Sequence, residues 1–552
     1  MERYPELLRT LLSNRGINDA QQADTFLNPS YERDMHDPLL MKDMEKATVR
    51  IFEATEAKEK ILIYGDYDCD GIPGSVILHD LLKKIGYENF SVYIPDRHNE
   101  GFGLHSSAIE KFRDEGVNLM ITVDLGITDV DEVALAQGFG IDVIITDHHL
   151  PQEILPRAFA ILNPKQEGDM YPEKMLCGSG VAFKLVQGFV AKYGEYFKIN
   201  SGWEKWLLDM AGIATLSDMV PLLGENRVLA YYGMKVLQKN RRLGLGKIFS
   251  KLNIDPRHLT EDDITFMIAP RLNAAGRMDS PRRAFELLAT SDELEAGKVA
   301  DHLAKLNDER KTLVATTIKE INRTLEKRED RKIIVIGNPK WRVGILGLIA
   351  SKIVEEYECP AFVWGREGSE IIKGSCRSFG GVNLVNLMSL TKKDSFLDFG
   401  GHKLAGGFSV SNEKIHFLEE ELLKAYDQIE QEQVSDEEIS VDKKISLEDV
   451  NEQNYKLIEK MAPFGMANPK PTFLFEDIEI VEVKKFGKEK NHLEISFASE
   501  NRYMVRAIAF FSAPENFKTL LEKGKKISLI ANLEKSFFRG RPELRLRIVD
   551  IF

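Results

Sequence analysis

The sequence predicts an α/β protein of several domains, built around a doubly wound parallel sheet. Its 552 residues are enough for about three or four domains. Between residues 60 and 147, short β-branched runs alternate with helical patterns, which is typical of βαβ units and a parallel sheet. The predicted strands are ILIY from Ile61, SVYIP from Ser91, LMITV from Leu119 and DVIIT from Asp142.

The rest of the chain predicts a long helix, a second lobe and a barrel. Apolar positions recur mostly at steps of three and four residues from Ser291, the predicted N-cap, to the charged stop at Lys327, so we expect one connector helix. The acidic stretch 428–438 is predicted to be a linker, and the short basic strands beyond it predict a small β-barrel. The smaller α/β lobe between them contains strand KIIVIG from Lys332, a helix from Gly344, strand AFVWG from Ala361 and the glycine-rich end GGHKLAGGFSV.

The predicted domain boundaries follow from these elements. They are an N-terminal helical segment at 1–44, the parallel-sheet domain at 45–240, a helical connector at 241–330, the smaller α/β domain at 331–427, and a linker with the barrel at 428–552.

Composition narrows the class of protein. With 43% hydrophobic and 29% charged residues the chain is globular, and no apolar run reaches the roughly 18 residues that a membrane span needs. The charged N-terminus predicts no secretory signal, so we expect a cytoplasmic protein without membrane contact. Its four cysteines are widely spaced and lack a CxxC pair, which predicts reduced thiols.

Charge along the chain points to a local nucleic-acid footprint. A net charge of −13 opposes a polyanionic partner, but residues 484–552 carry 15 Lys and Arg against 8 Asp and Glu. In this tail Phe486, Phe537 and Phe538 alternate with cations, as expected where bases stack on rings. A hydrophobic core would explain isolated phenylalanines equally well.

Acidic residues and histidines follow three of the predicted strands. ILIY leads into Asp66, Asp68 and Asp70, LMITV ends at Asp124, and DVIIT ends at Asp147-His148-His149. Parallel strands bring such residues to one sheet edge, whereas a single DxDxD could be a solvated acidic turn. Asp218 adds another carboxylate after an apolar helix. Because crowded carboxylates repel, the pattern predicts two divalent cations, Mn²⁺ or Mg²⁺.

Four of these segments, GDYDCDG, TVDLG, TDHH and ATLSDMVPL, resemble in order the motifs of the DHH phosphoesterase superfamily. PRLNAAGRMDSP, WRVGILGLIASKIVEEY, GSCRSFGG and FGGHKLAGGFSV resemble its RecJ branch, including the DHH-associated domain, and MAPFGMANPKP resembles the segment that leads into an OB-type barrel. The resemblance covers roughly Lys42 to the C-terminus. It departs from the family after Gly71, where this chain has Ile72-Pro73-Gly74 and the family usually carries a threonine or serine in the next turn. We expect the lost hydroxyl to affect the rate rather than the type of reaction.

The resemblance implies roles for individual residues. Asp68 and Asp124 would hold one ion, and Asp70, Asp124, His148 and Asp218 the other, with Asp66 a ligand or an acid behind the ligands. Asp124 would bridge the ions, and His149 would contact the scissile phosphate and protonate the leaving oxygen. The candidate substrate-binding residues rest instead on residue chemistry, because glycine-rich backbone can approach a phosphate closely and an arginine can bind two of its oxygens. They are Arg97, Arg271, Arg277, Ser375, Arg377, Gly401 and His402; ordinary turns and surface salt bridges are the alternatives for these positions.

The activity implied is that of a metal-dependent exonuclease that degrades single-stranded DNA from 5′ to 3′ and releases 5′-mononucleotides in DNA repair and recombination. We expect a monomer, with a single-strand-binding protein as a candidate partner. Two alternatives stay open. One is an oligoribonucleotide or cyclic-dinucleotide phosphodiesterase, and the other is a non-catalytic DNA-binding scaffold.

Overall fold

A computed structural model describes residues 1–97, 100–326, 328, 332–367, 370–429, 439–487, 490–501, 503–537 and 542–552. Three short helices open the chain: α1 (Glu6–Asn14), α2 (Ala20–Leu27) and α3 (Tyr31–Asp34). The linker predicted at 428–438 and the stop at 327–331 lie mostly outside the described residues. No helix in the described ranges is both long and apolar enough to cross a bilayer.

The first domain contains a five-stranded parallel sheet in the order β2-β1-β3-β4-β5. Successive residues of β1 point to opposite faces, so Ile61 and Ile63 join the core beneath one helical layer, while Leu62 and Tyr64 join the other. This confirms the predicted doubly wound sheet and adds β5, which was not predicted. The elements are α4 (Met44–Glu56), β1 (Lys60–Gly65), α5 (Gly71–Lys84), β2 (Phe90–Tyr93), α6 (Ser106–Asp114), β3 (Val117–Val123), α7 (Val130–Gly138), β4 (Asp142–Thr146), β5 (Ala160–Leu162), α8 (Gly178–Tyr193), α9 (Leu208–Ser217) and α10 (Gly224–Leu237).

A helical connector follows, and it ends in the predicted long helix of 33 residues. Its N-cap is Asp292, whose carboxylate accepts hydrogen bonds from the amides of Leu294 and Glu295, so the predicted cap at Ser291 was wrong by one residue. Leu294 is 77% exposed because it lies in the first turn, beyond the packed stripe. The helices are α11 (Leu243–Leu252), α12 (Ala269–Met278), α13 (Arg282–Ala289) and α14 (Glu293–Leu325), with a π-helical segment, Asp263–Ile268, before α12.

The smaller lobe has a mixed sheet in the order β6-β7-β8-β10-β9. Only β6 and β7 are parallel; β8, β10 and β9 pair antiparallel. The helix predicted from Gly344 begins at Leu346, after a short 3₁₀ turn. The elements are β6 (Ile334–Gly337), α15 (Leu346–Tyr357), β7 (Ala361–Gly365), β8 (Ile372–Arg377), α16 (Leu384–Ser389), β9 (Asp398–Gly401), β10 (Ala405–Val410) and α17 (Leu418–Tyr426).

The C-terminal domain is the predicted barrel, a six-stranded sheet that pairing of β12 with β15 closes. Its core also takes side chains from the N-terminal helices, including Leu8, Leu11 and Phe26. The first helices of the chain therefore complete the fold of the last domain. The elements are β11 (Lys443–Lys444), α18 (Glu452–Glu459), β12 (Phe473–Phe486), β13 (His492–Ala498), β14 (Met504–Ala509), β15 (Lys526–Ser536) and β16 (Glu543–Ile551).

Candidate metal centre and substrate cleft

The acidic cluster lies where the strand order of the first sheet reverses. The chain moves outward from β1 to β2, then returns across β1 to β3, so the carboxyl ends of β1 and β3 border the crevice where open α/β sheets bind ligands. Asp66 follows β1, Asp124 follows β3, and His148 lies just beyond β4. Asp218 caps α9 and reaches the same place from a helix.

Three overlapping groups of side chains could each hold a metal ion, and one of them, Asp124, His148 and His149, shares residues with the other two. The ligand atoms of Asp66, Asp68 and Asp124 all lie within 4.8 Å of one another, as do those of Asp70, His148 and Asp218. His148 Nε2 lies 3.2 Å from Asp124 Oδ1, so the two groups are contiguous. The same nitrogen is 3.8 Å from Asp70 Oδ2 and from Asp218 Oδ2. The fold thus gathers the six predicted ligands into one cluster.

Backbone contacts hold the aspartates in place. Asp70 accepts hydrogen bonds from the amides of Gly178 and Ser179, at 2.6 and 2.7 Å, where α8 begins. A side chain at Gly178 would place its Cβ 2.6 Å from Asp124 Oδ1, so the helix can approach only with glycine there. Pro73 is the third residue of α5, within the first turn, where a missing main-chain donor breaks no helical hydrogen bond.

The electrostatics of the cluster fit divalent cations. Burial, followed by repulsion from neighbouring carboxylates, raises the pKa values of Asp66 and Asp124 well above their usual range and that of Asp218 to about 8. Oδ1 of Asp66 and Oδ1 of Asp124 are buried and accept no hydrogen bond within the described chain. Cations would remove the repulsion and satisfy both oxygens, and oxygen and imidazole donors without a thiolate suit Mn²⁺ or Mg²⁺.

His149 is oriented by a carboxylate that sequence reasoning did not assign. Asp147 Oδ1 lies 2.8 Å from His149 Nδ1, and the same carboxylate accepts hydrogen bonds from the amides of Ile127 and His148. Burial alone would lower the pKa of His149, but the hydrogen bond to Asp147 raises it to about 9. The available signal was that Asp147 is the first residue after β4.

Phe102, five residues after the predicted Arg97, was not predicted. Its ring lies 5.4 Å from that of His149, centroid to centroid, and it is 47% exposed. Gly101 and Gly103, on either side, both have positive φ and shape the loop that presents it. An exposed ring beside the histidine offers a surface for a nucleotide.

Several arginines line the cleft. The Arg97 guanidinium lies 4.9 Å from the Tyr67 ring centroid, and Arg277 donates to the carbonyl of Gly344 on the smaller lobe. Burial, then repulsion from Arg97 and Arg310, lowers the pKa of Arg277 to about 9. Five arginines of the cleft form no ion pair with a carboxylate within the described ranges. They are Arg97, Arg271, Arg277, Arg310 and Arg377. Such a cluster favours bound phosphates.

Arg310 could not be found from the sequence. It lies on α14, and its guanidinium donates to Asn307 Oδ1 while Nε is buried without a partner in the described chain. Arg271, predicted from PRLNAAGR, likewise has an unpartnered Nε. The two cations influence each other electrostatically, and no motif spacing connects them.

The predicted residues of the smaller lobe lie at one end of its sheet. In β8, Ser375 pairs with Gly407 and Arg377 with Ala405 of the neighbouring strand. Gly401 has φ +136°, and a Cβ there would meet the Ala405 carbonyl at 2.4 Å, so glycine is required. His402 is exposed at the hairpin that follows, and its amide donates to the same carbonyl.

On the barrel, rings and cations gather into what we call the aromatic patch: Phe486, His492, Phe510 and Phe511. Neighbouring rings are 4.9 to 6.1 Å apart, and the Arg547 guanidinium lies 4.1 Å from the Phe510 centroid. Phe511 is 81% exposed. Phe537, predicted as a stacking residue, instead stacks on His258 of the connector. Phe538 lies outside the described residues.

Known families match successive parts of the chain. The DHH family, N-terminal domain, matches residues 60–215, the DHHA1 domain matches 311–432, and the RecJ OB domain matches 441–550. With the geometry above, these matches define a DHH-type phosphoesterase, a metal-dependent nuclease. Among curated relatives, the single-stranded-DNA-specific exonuclease RecJ of Bacillus subtilis is 36% identical over 99% of this chain and 67% of its own length. The single-stranded-DNA-specific exonuclease RecJ of Haemophilus influenzae is 31% identical over 98% of this chain and 95% of its own length.

Solved structures agree. RecJ in complex with Mn²⁺ from Thermus thermophilus superposes with a TM-score of 0.81 at 25% identity, covering 99% of this chain and 76% of that one. Another structure, of exonuclease RecJ bound to manganese, superposes with a TM-score of 0.63 at 29% identity and covers 71% of this chain and 96% of that one. The chain belongs to the RecJ family.

Proposed function

We propose that this chain is a metal-dependent exonuclease that hydrolyses single-stranded DNA from the 5′ end, releases 5′-mononucleotides and acts in DNA repair and recombination. The observation that carries the proposal is the convergence of buried, mutually repelling carboxylates with imidazoles, beside arginines that pair with no carboxylate in the part of the chain that the structure describes. Cations and a phosphodiester strand together supply the charges that both groups need. Relatives named as single-stranded-DNA-specific exonucleases support the substrate.

Two Mn²⁺ or Mg²⁺ ions are the proposed cofactors. Asp68 and Asp124 would hold one ion, with Asp66 beside them, while Asp70, His148, Asp218 and the bridging Asp124 would hold the other. The bound ions supply Lewis acidity to the scissile phosphate and the attacking water. The amides at the start of α8 keep the Asp70 oxygens fixed, so the site is preorganised.

His149 is the proposed acid for the leaving oxygen. Asp147 fixes the ring through Nδ1, which leaves Nε2 as the nitrogen that can hold a proton for the substrate. Phe102 restricts the space on one side of the ring. The terminal nucleotide is proposed to lie between Phe102 and the smaller lobe.

The strand is proposed to run from the smaller lobe across the connector to the barrel. Ser375, Arg377 and Arg97 bind the terminal phosphate, and the backbone at Gly401 and His402 borders this pocket. Arg271, Arg277 and Arg310 bind internal phosphates. Farther along, bases stack on the aromatic patch, where exposed rings lie beside Arg547.

The assignment of the chain to five segments, with boundaries at 44, 240, 330 and 427, is proposed on the same grounds. We further propose that the enzyme is a cytoplasmic monomer to which a single-strand-binding protein brings substrate. Light scattering of the full chain, alone and with such a protein, tests the monomer and the partner.

The test of function is a time course on 5′- and 3′-labelled oligomers of single-stranded DNA, double-stranded DNA and RNA with Mn²⁺, Mg²⁺ or chelator. We expect metal-dependent mononucleotide release from single-stranded DNA alone, beginning at the 5′ end. A preference for RNA of a few nucleotides or for cyclic dinucleotides would replace the proposal with a small phosphodiesterase. Binding without hydrolysis in either metal would identify a scaffold.

A further inference from the structure

The segment Met461–Asn468, before the barrel, folds into a tight hairpin whose function is not explained by DNA binding. Gly465 and Asn468 exchange backbone hydrogen bonds of 2.9 and 3.1 Å. Asn468 is fully buried, and its side-chain amide donates to the carbonyls of Met461 and Pro463 at 2.9 Å each. These contacts make the 461–468 hairpin a rigid unit.

The 461–468 hairpin rests on the loop that carries Asp218. This loop joins α9 to α10, and its Leu222 amide donates to the Met466 carbonyl at 2.9 Å. A Cβ on Gly465 would lie 2.8 Å from Leu222 Cδ1, so the two segments touch closely. The contact is four residues from the Asp218 carboxylate, and between them Met219 has φ +57°.

Arg227, in the first turn of α10, also holds the hairpin against the loop between α9 and α10. It is 3% exposed and donates to the carbonyls of Phe26, Met461 and Ala462 at 2.8 to 3.0 Å. Burial lowers its pKa to about 10. The two residues before Arg227 hold this first turn of α10 against the first domain. Glu225 forms an ion pair with the buried Lys184, and the side-chain amide of Asn226 donates to the Met175 carbonyl.

Asp218 depends on this support more than the other candidate ligands do. Asp70 is fixed by amides of α8, and Asp124 follows directly from a central strand. The Asp218 carboxylate has no hydrogen bond within the described chain and lies at the end of a helix. The position of its oxygens therefore depends on the backbone of its loop.

We propose that the 461–468 hairpin and Arg227 are positioning elements that hold Asp218 in the metal centre, so that docking of the barrel sets the affinity for one of the ions. The inference rests on the proposed function, because it needs Asp218 as a ligand. Loss of groups that orient a metal ligand typically weakens metal binding by about 10- to 100-fold. A hairpin that only joined two domains would leave metal affinity unchanged.

The test uses the full chain without DNA and measures Mn²⁺ binding by electron paramagnetic resonance of the free ion. Gly465→Ala adds a methyl group that presses on Leu222 and so displaces the loop that carries Asp218, and Arg227→Lys weakens the hydrogen bonds to the carbonyls while keeping the charge. Ile480→Val, in the barrel core, is the matched control for lost stability. We expect one Mn²⁺ site to weaken about tenfold in both variants but not in the control.

A second test measures whether Mn²⁺ affinity is restored in a double variant. Leu222→Val removes the atom nearest the added methyl group, so Mn²⁺ affinity should return in the Gly465→Ala, Leu222→Val double variant. If both single variants melt earlier yet bind Mn²⁺ as the parent chain does, the hairpin is only a domain joint and the inference fails. An unmodified chain that binds no Mn²⁺ would overturn the proposed function itself, and this inference with it.

Discussion

Removing the Arg377 guanidinium should abolish most of the preference for a 5′-phosphorylated end. Arg377 and Arg97 lie close enough for their charges to repel, and burial, with that repulsion, lowers the pKa of Arg377. Its one described hydrogen bond goes from Nη1 to the Cys376 carbonyl, at 2.8 Å. Gly347 lies beside Nη2, and a Cβ there would come within 3.1 Å of it. The guanidinium therefore keeps donors for a phosphate dianion.

The size of the effect follows from what stays in the pocket. A hydrogen bond to a charged group contributes about 1.5 to 3 kcal/mol, and here Arg97 and Arg277 would still attract the phosphate in the variant. We therefore expect the lower part of that range, about 1.5 to 2 kcal/mol, or about a 10- to 30-fold loss of preference. Strands with a 5′-hydroxyl end should be degraded at the unmodified rate.

The assay compares kcat/KM for 5′-phosphate and 5′-hydroxyl strands in the parent chain, in Arg377→Ala and in Arg323→Ala, an exposed arginine of α14. Ser375→Ala should show a weaker loss than Arg377→Ala. The reasoning is refuted if Arg377→Ala keeps the full phosphate preference, or if it slows both substrates equally. In either case Arg377 would bind an internal phosphate or serve only the fold.

Three further changes test other parts of the proposal. Asp124→Ala should reduce hydrolysis by far more than tenfold while leaving strand binding in chelator intact, because a bridging ligand is lost but the remote basic side chains remain. Single-turnover kinetics measure the hydrolysis and a binding isotherm measures the affinity. Retention of a tenth of the activity would contradict the ligand assignment. Phe102→Ala should raise KM for short strands by about fivefold or more, the loss of about 1 kcal/mol of base or sugar contact, in steady-state assays; an unchanged KM would place the nucleotide elsewhere. Phe511→Ala should weaken binding of long strands by about 5- to 100-fold without changing the log–log salt slope, because stacking releases no counterions. The control is Phe417→Ala, because Phe417 is 61% exposed on the smaller lobe. Equal losses of affinity in both variants would rule out the aromatic patch as a binding surface for the strand.

Sequence reasoning succeeded where function follows a strand. Asp66 and Asp124 directly follow β1 and β3, His148 is the second residue after β4, and period and residue type were enough to place them at one sheet edge. It failed where contacts depend on tertiary packing. Arg310 reaches the cleft from the middle of a helix whose pattern reports only its buried stripe, and the packing of Leu8 into the barrel joins residues more than four hundred positions apart.

The packing of the N-terminal helices changes what a barrel deletion would report. Cutting the chain after Ala467 looks from sequence like a clean removal of a DNA-holding module that spares the metal centre. In the fold, the cut would expose the apolar faces of α1 and α2, which belong to the barrel core, and would remove Asn468, which holds the carbonyls that Arg227 contacts. Lost activity in such a fragment would therefore combine weaker strand binding, exposed apolar surface and a displaced Asp218. Point changes on the aromatic patch separate these effects, because Phe511 is exposed and lies outside the buried core cluster.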